Sequence, residues 1–135
     1  MVRPGCTFKN LNEASSKALT KLMIDLKLLE GSVEENIKSA SFRKYYPHSV
    51  GHFIGIDVHD IGYYEEGGQP VPLAEGMMIT IEPGLYVPFD DESAPEEMRG
   101  VGIRIEDDIL VTSDEPDIMT KLVPKEISEL EALKN

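Results

Sequence analysis

Apolar residues near the start of the chain recur at steps of three and four positions. The recurring residues are Leu11, Ala14, Ala18, Leu22, Met23, Leu26 and Leu29. Because this spacing places side chains on one face of an α-helix, the sequence predicts an amphipathic helix over residues 7–30. Thr7 is a suitable N-cap for this helix, and Gly31 can end it in a left-handed conformation.

A second, shorter helix is predicted from Ser32 to about Ala40. Its first residues, Ser-Val-Glu-Glu, match a capping box, in which a serine and a glutamate three positions later accept hydrogen bonds from each other's backbone N–H groups. Neither predicted helix contains a histidine, and their acidic residues fall mostly on the polar side. We therefore interpret both helices as scaffold.

The pattern changes after Pro47, where short segments rich in Ile and Val alternate with segments rich in Gly, Pro and Asp. These patterns predict strands over residues 52–59, 78–82 and 101–106 and loops over residues 62–76 and 87–100. The second loop carries five acidic residues and two prolines, so we expect it to be exposed and mobile. With a last helix predicted over 124–133, the order of elements indicates an α+β fold, with helices packed on one face of a mostly antiparallel sheet.

Length and charge narrow the classes of partner. A chain of 135 residues fits one domain, and its 25 acidic against 13 basic residues give a formal charge of −12. Since this charge repels phosphate backbones and anionic lipid headgroups, we expect neither nucleic acid nor membrane as a partner. The start of the chain lacks the apolar stretch of a secretory signal, and Cys6 has no second cysteine to pair with. We expect a cytoplasmic or mitochondrial protein that is not secreted.

Charged residues interrupt two of the predicted strands. In MMITIEP, Glu82 lies on the strand face opposite Ile79 and Ile81. In GIRIEDDILVT, Arg104 and Glu106 lie on the face opposite Ile103 and Ile105. Charge on a buried strand face requires a metal, an ion pair or a substrate. An ion pair of Arg104 with Glu106 or Asp108 is one explanation, and the strand pattern alone leaves it open.

All three histidines lie in one short segment, HSVGHFIGIDVHD, as His48, His52 and His59. Imidazole together with carboxylates suits divalent manganese, cobalt or zinc, and one histidine with two glutamates would balance one dication. Core or surface histidines are the alternative, and spacing does not decide between them. On a regular strand His52 and His59 would point to opposite faces, so a shared cleft requires either a bulge or bend, which we place at Gly55, or a strand that ends before His59.

Three motifs, HSVGHFIGIDVHD, ITIEPGLYVP and RGVGIRIEDDILVT, occur in an order and at spacings that resemble the aminopeptidase P family. These enzymes are metal-dependent Xaa-Pro aminopeptidases, and the bacterial and mitochondrial type is the most similar. The resemblance runs from about Arg3 to the C-terminus and implies that residues 1–135 form the second half of a pita-bread (creatinase/aminopeptidase-like) domain with a curved, mostly antiparallel sheet. Prolidase, creatinase and methionine aminopeptidase have looser versions of the motifs, and RGVGIRIEDD favours aminopeptidase P over prolidase.

The resemblance implies a centre for two divalent metal ions in the complete enzyme. His52 matches a histidine ligand, Glu82 a glutamate ligand, and Glu106 the glutamate that bridges the two ions. Manganese is the favoured metal, with cobalt or zinc as alternatives. Such ions activate a water and polarise the carbonyl that precedes proline, so proline-containing peptides are the implied substrates.

The remaining site residues are also assigned by the resemblance. His48 and His59 match two histidines that line the substrate pocket and assist proton transfer or carbonyl polarisation. Arg104 matches a pocket arginine near the metals. Glu82 is further expected to carry a proton toward the leaving imino group, which makes Glu82, His48 and His59 the candidate catalytic residues.

Two aspartate ligands, which the family takes from the preceding half-domain, have no counterpart in this sequence. With three of five ligands, we expect the chain alone to bind at most one ion weakly and to be nearly inactive. Three interpretations remain: a first half supplied by another chain, a homo-oligomer in which a second copy takes its place, or a non-catalytic binding module. The intact EPGLY and RIEDD motifs favour the first two. A prolidase-type dipeptidase fragment is a further alternative.

Overall fold

The chain folds into helices followed by short antiparallel strands, and a computed structural model describes residues 1–134. The helices are α1 (Phe8–Asp25), α2 (Val33–Ser39) and α3 (Ile127–Ala132), with 3₁₀ turns at Ser41–Lys44 and Glu96–Met98. The strands are β1 (Glu65–Glu66), β2 (Gln69–Pro70), β3 (Met78–Ile81), β4 (Gly84–Tyr86), β5 (Gly102–Arg104), β6 (Asp107–Leu110) and β7 (Asp117–Ile118). This is the predicted α+β class.

Helix α1 begins where the sequence predicts but ends early. The Thr7 hydroxyl accepts a hydrogen bond from the Asn10 backbone N–H at 3.1 Å, so the predicted N-cap is confirmed. The helix ends at Asp25, five residues before the predicted end at residue 30. It ends there because the backbone of Lys27 adopts the left-handed conformation, at φ 60°. The predicted apolar face is wrong at Ala18 and at Leu22, which are both exposed, while Met23 is fully buried.

The start of helix α2 confirms the predicted capping box. The Glu35 backbone N–H donates to the Ser32 hydroxyl at 3.2 Å, and the Glu35 carboxylate accepts from the Ser32 backbone N–H at 2.8 Å. Gly31 adopts the expected left-handed conformation, although it lies in the linker rather than at the end of α1. Helix α3 is shorter than the predicted segment 124–133. None of the helices within residues 1–134 is long and apolar enough to cross a membrane.

The strands form three small antiparallel sheets. These are β3–β6–β7, β4–β5 and the hairpin β1–β2, which lies in the segment predicted as the first loop. The strand predicted at 78–82 is confirmed as β3. The strand predicted at 101–106 is confirmed only over β5, which pairs with β4; the next strand, β6, begins just after the predicted segment and pairs with β3. The prediction of a strand at 52–59 is wrong, since only Phe53 forms a bridge, to Ile79, before the chain bends.

Two apolar clusters support the sheets. The first joins α1 to β3 and β6 and contains Val2, Phe8, Leu11, Val50, Leu73, Ile79, Ile109 and Val111. The second packs the end of α1 against β4 and contains Met23, Leu28, Phe42, Tyr45, Tyr46, Leu85, Val87 and Ala94. Since β3 belongs to the first cluster and β4 to the second, the two residues between these strands, Glu82 and Pro83, connect both parts of the core.

The acidic segment 87–100 is packed more closely than the prediction of an exposed loop allows. Asp91 accepts hydrogen bonds from the Tyr45 hydroxyl and the Lys44 ammonium, both at 2.7 Å. Ala94 is buried, and the Arg99 guanidinium donates to the Ala94 carbonyl at 3.1 Å. The prediction is therefore wrong at these positions, because buried polar contacts hold a segment whose composition is typical of a loop.

Candidate metal centre and substrate pocket

Three side chains that are far apart in the sequence converge at one point. One ligand atom from each of His52, Glu82 and Glu106 lies within 4.8 Å of the other two. The pairing of the strands explains this convergence: Ile81 pairs with Asp107 in one sheet and Gly84 with Arg104 in the next. The segments that contain Glu82 and Glu106 therefore face each other between the two sheets.

His52 is brought to this point by backbone contacts with β3. Its carbonyl accepts from the Thr80 backbone N–H at 2.8 Å, and its own backbone N–H donates to the Thr80 hydroxyl at 3.0 Å. Gly51 is required just before it, because a Cβ there would lie 1.9 Å from the Thr80 carbonyl oxygen. The glycine in the VGHF motif thus permits the close approach that aligns His52 with Glu82.

Glu82 is a buried carboxylate, 9% exposed, with three polar neighbours. Its Oε1 accepts from the Thr80 hydroxyl at 3.2 Å and lies 3.3 Å from Nε2 of His52. Its Oε2 lies 3.4 Å from Nη1 of Arg104. The sequence alone left open an ion pair of Arg104 with Glu106 or Asp108. This explanation is wrong, because within residues 1–134 the ion pair of Arg104 is with Glu82.

The ring of His52 is oriented with one nitrogen toward the carboxylates. Its Nδ1 lies 2.8 Å from the Phe53 carbonyl, which can only accept, so Nδ1 carries the proton. In neutral imidazole Nε2 then has a free lone pair, and it faces Glu82 Oε1. Two acceptors at this distance repel each other unless a proton or a cation lies between them. One imidazole and two carboxylates therefore fit a divalent cation.

His48 belongs to a chain of hydrogen bonds that ends at Arg104. The Arg104 Nε donates to the Tyr86 hydroxyl at 2.6 Å, and that hydroxyl lies 3.1 Å from His48 Nε2. His48 Nδ1 lies 2.7 Å from the Ser49 carbonyl. Because a carbonyl only accepts, Nδ1 of His48 carries a proton, and the Tyr86 hydroxyl, which accepts from Arg104, can donate its own proton to Nε2.

Tyr86 was not predicted as a site residue. A signal was present, since Glu82, Gly84 and Tyr86 lie at alternate positions and share a face of an extended segment. A Cβ at Gly84 would lie 2.4 Å from the Tyr86 hydroxyl, so glycine leaves room for that group. The hydrogen bond to Tyr86, and then the negative charges of Glu82 and Glu106, raise the pKa of Arg104 above its ordinary value.

His59 reaches the same region because the chain bends between Phe53 and Asp60. Its ring lies against that of His52, with centroids 4.3 Å apart and planes inclined by 45°. The expectation that a bend must bring these two histidines together is confirmed. They border a cavity of about 350 Å³ lined by His48, Ser49, Gly51, His52, His59, Tyr64, Glu82 and Arg104. Of the six predicted site residues, Glu106 alone is outside this lining, and it meets the others through its carboxylate.

The fold is that of a family of metallopeptidases. The family model of metallopeptidase family M24 matches residues 1–113, and the chain belongs to this family. The pita-bread fold expected from the sequence is confirmed by structural neighbours.

The chain is similar to Xaa-Pro aminopeptidases from bacteria and mammals. The chain is 41% identical to the Xaa-Pro aminopeptidase of Haemophilus influenzae over 132 residues, which are 98% of this chain and 30% of that protein. It is 42% identical to human Xaa-Pro aminopeptidase 3 over 130 residues, 96% of this chain and 25% of that protein.

Solved structures give the same result. The aminopeptidase PepP of Pseudomonas aeruginosa matches with a TM-score of 0.94 and 40% identity, over 98% of this chain and 30% of that one. A zinc-substituted aminopeptidase P of Escherichia coli in complex with product matches with a TM-score of 0.89 and 38% identity, again over 98% and 30% of the two chains. The chain thus spans about a third or less of the length of these relatives.

Proposed function

We propose that residues 1–135 are the second half of the catalytic domain of a metal-dependent Xaa-Pro aminopeptidase, which removes the N-terminal residue from peptides with proline in second position. The observation that carries the proposal is the convergence of His52, Glu82 and Glu106 within 4.8 Å beside a cavity that contains two further histidines. The proposal is supported by two proteins that match nearly the full length of this chain and are named Xaa-Pro aminopeptidases.

The metal ligands in this proposal are His52 through Nε2, Glu82 and Glu106. Two carboxylates for each imidazole favour a harder dication, so manganese is the proposed metal, with cobalt or zinc as alternatives. When bound, a pair of such ions supplies a water activated at neutral pH and a polarised substrate carbonyl. Two ions require further ligands from outside this chain, so the chain alone is proposed to bind at most one, weakly.

The chain's own residues have separate roles around the metals. Arg104 holds one Glu82 oxygen at 3.4 Å, which leaves the other oxygen to face His52. His59, which is exposed and lines the cavity next to His52, donates to the substrate carbonyl oxygen as negative charge develops there. His48, fixed by Ser49 and Tyr86, orients the substrate. Glu82 accepts a proton and passes it to the leaving imino nitrogen.

A second polypeptide segment is part of the proposed enzyme. Within residues 1–134, strand β5 pairs with β4 alone; Ile103 in this strand and Ile105 just after it are 58% and 49% exposed. Apolar residues at a sheet edge suit coverage by another α/β half-domain. We propose that a first half-domain occupies this position and supplies the remaining ligands. A homo-oligomer in which a second copy covers the edge is the alternative, and sedimentation at micromolar concentration distinguishes a dimer from a monomer.

Metal titration tests the ligand assignment directly. Calorimetry with Mn²⁺ on the chain is expected to show an affinity at least about tenfold lower for Glu106→Gln than for the unsubstituted protein. Asp57→Asn is the matched control, because Asp57 is an exposed acid that lies outside the converging group. Equal losses in the two variants would contradict the assignment.

Peptide cleavage tests the reaction. A Gly-Pro-type peptide is expected to be cleaved in the presence of Mn²⁺ once a folded first half-domain is added, and hardly at all by the chain alone. Absence of cleavage by the folded pair, with metal bound, would reject the proposed activity.

A further inference from the structure

The loop that carries His59 is not held by an apolar core. Four large aliphatic side chains lie between Phe53 and Gly62: Ile54 is half-buried, whereas Ile56, Val58 and Ile61 are exposed. Within residues 1–134, the side chain of His59 makes no hydrogen bond, and its only recorded partner is the ring of His52. Something other than hydrophobic burial must therefore fix the path of this loop.

Asp60 supplies polar contacts that close the loop. One carboxylate oxygen, Oδ2, accepts from the Ile56 backbone N–H at 3.1 Å, and the other, Oδ1, accepts from the Ile61 backbone N–H at 2.8 Å. The Asp60 backbone N–H also donates to the Phe53 carbonyl at 3.0 Å. The same residue thus joins the start, middle and end of the loop.

The space for this carboxylate is made by a glycine. A Cβ on Gly55 would lie 2.0 Å from Asp60 Oδ2, so any larger residue at position 55 would displace the carboxylate. The Gly55 backbone N–H donates to the Asp57 carbonyl at 3.1 Å, which tightens the same bend. The Gly-Ile-Asp-Val-His-Asp segment is therefore built around Asp60, with His59 as its immediate neighbour.

We infer that Asp60 is a positioning residue: its carboxylate clasps the loop 53–62 and thereby holds His59 against His52 at the edge of the candidate pocket. The role of Asp60 in the loop does not depend on the proposed function. Only its consequence rests on that function, namely that His59 is held where it can donate a hydrogen bond to the substrate carbonyl. A carboxylate is needed because each of its oxygens accepts one backbone N–H. An asparagine offers one such oxygen and turns an NH₂ group toward the second N–H.

A structural measurement comes first, because it does not depend on activity. In histidine-labelled chain with Zn²⁺, nuclear Overhauser contacts between the rings of His52 and His59 are expected in the unsubstituted protein and in the control Asp57→Asn. They are expected to disappear in Asp60→Asn and in Gly55→Ala, which moves the carboxylate without changing its chemistry. Zn²⁺ affinity is expected to stay within about threefold, because the three ligands lie outside the loop.

Kinetics with the first half-domain supplied then separates positioning from general damage. Asp60→Asn is expected to lower kcat about tenfold with little change in KM, because the lost donor acts on charge that develops during the reaction. His59→Ala is expected to have a much smaller effect in the Asp60→Asn background than alone, since both changes remove the same interaction.

The outcomes are distinguishable. Ring contacts that persist in both Asp60→Asn and Gly55→Ala would overturn the inference, as would additive effects of Asp60→Asn and His59→Ala on kcat. If Asp60→Asn does not fold, the ring contacts in Gly55→Ala decide. If the contacts are lost in the variants, and the unsubstituted protein binds Zn²⁺ but cleaves no Xaa-Pro peptide with the first half-domain and Mn²⁺ supplied, the role of Asp60 is supported and the proposed function is rejected instead.

Discussion

The guanidinium of Arg104, at the end of β5, lies 3.4 Å from the carboxylate of Glu82, which lies between β3 and β4. Glu82 is only 9% exposed, and within residues 1–134 the Arg104 guanidinium is the permanent positive charge nearest to its carboxylate. His52, the other neighbour, is charged only when it is protonated. In the absence of metal, Arg104 is therefore the main residue that neutralises the negative charge of Glu82.

Arg104→Met is expected to lower the free energy of unfolding by about 1 kcal/mol in EDTA, because it leaves the buried Glu82 carboxylate without its permanent positive partner. The loss is limited because the Arg104 guanidinium is half-exposed and solvent screens the ion pair. With excess Mn²⁺ the loss should become smaller, because a bound dication balances Glu82 and stabilises the folded state. Urea unfolding with and without metal measures both values.

The control for this prediction is Lys21→Met. Lys21 forms an exposed pair with Asp25 at 2.9 Å on helix α1, remote from the metal centre, and its removal should cost no more than about 0.5 kcal/mol under either condition. A loss at Arg104 that is the same in EDTA and in Mn²⁺ would mean that the arginine and the metal do not balance the same carboxylate.

Thr80→Val is expected to weaken Mn²⁺ binding about tenfold, as the loss of a group that orients metal ligands typically does. The Thr80 hydroxyl accepts from the His52 backbone N–H and donates to Glu82 Oε1, so it aligns two of the three candidate ligands. Valine keeps nearly the same volume and removes only the hydroxyl. Calorimetry measures the affinity, and an unchanged value would show that the ligands are aligned without this group.

Thr20→Val is the matched substitution elsewhere in the core. Thr20 on α1 is fully buried, and its hydroxyl has no hydrogen-bond partner in the part of the chain that the structure describes. Its replacement is expected to leave Mn²⁺ affinity unchanged and to be neutral or to stabilise the fold by about 1 kcal/mol. A destabilised Thr20→Val variant would show that this hydroxyl has a partner, such as a buried water.

Local features of the sequence predicted local features of the fold. The caps at Thr7 and Ser32 depend on residues three positions apart, so they could be predicted from the chain alone. The strand predicted at 52–59 failed because the Ile56 backbone N–H bonds to the carboxylate of Asp60 and the Gly55 N–H bonds to the Asp57 carbonyl, so neither pairs with another strand. Alternation of residue types contains no information about such a side chain.

The site could be predicted in its residues but not in its geometry. The motifs identified His52, Glu82 and Glu106, whereas their convergence depends on the change of pairing partner between Arg104 and Asp107. Such a register is set by long-range packing and is not visible in either strand separately. Tyr86 was missed for a similar reason, since its contacts with His48 and Arg104 join three segments.

The last prediction concerns stability against acid and rests on Asp91. The Lys44 ammonium, and then the hydroxyls of Ser93 and Tyr45, hold the pKa of the Asp91 carboxyl well below its usual range. A group whose pKa is lowered by folding stabilises the folded state above its unfolded pKa of about 4, and this contribution is lost as the pH falls toward the folded value. Asp91→Asn should therefore destabilise the protein clearly at pH 7 and progressively less below about pH 4.

Urea midpoints measured at pH 7 and at several values below pH 4 test this dependence. Asp90→Asn is the control, because Asp90 is the exposed neighbour of Asp91 and makes no recorded side-chain bond within residues 1–134. Its effect on the midpoint should be small at every pH. If the deficit of Asp91→Asn relative to the unsubstituted protein stays constant down to low pH, the contacts with Lys44 and Tyr45 do not depend on the charge of Asp91, and the acidic segment is held to the core by packing of residues such as Ala94 instead.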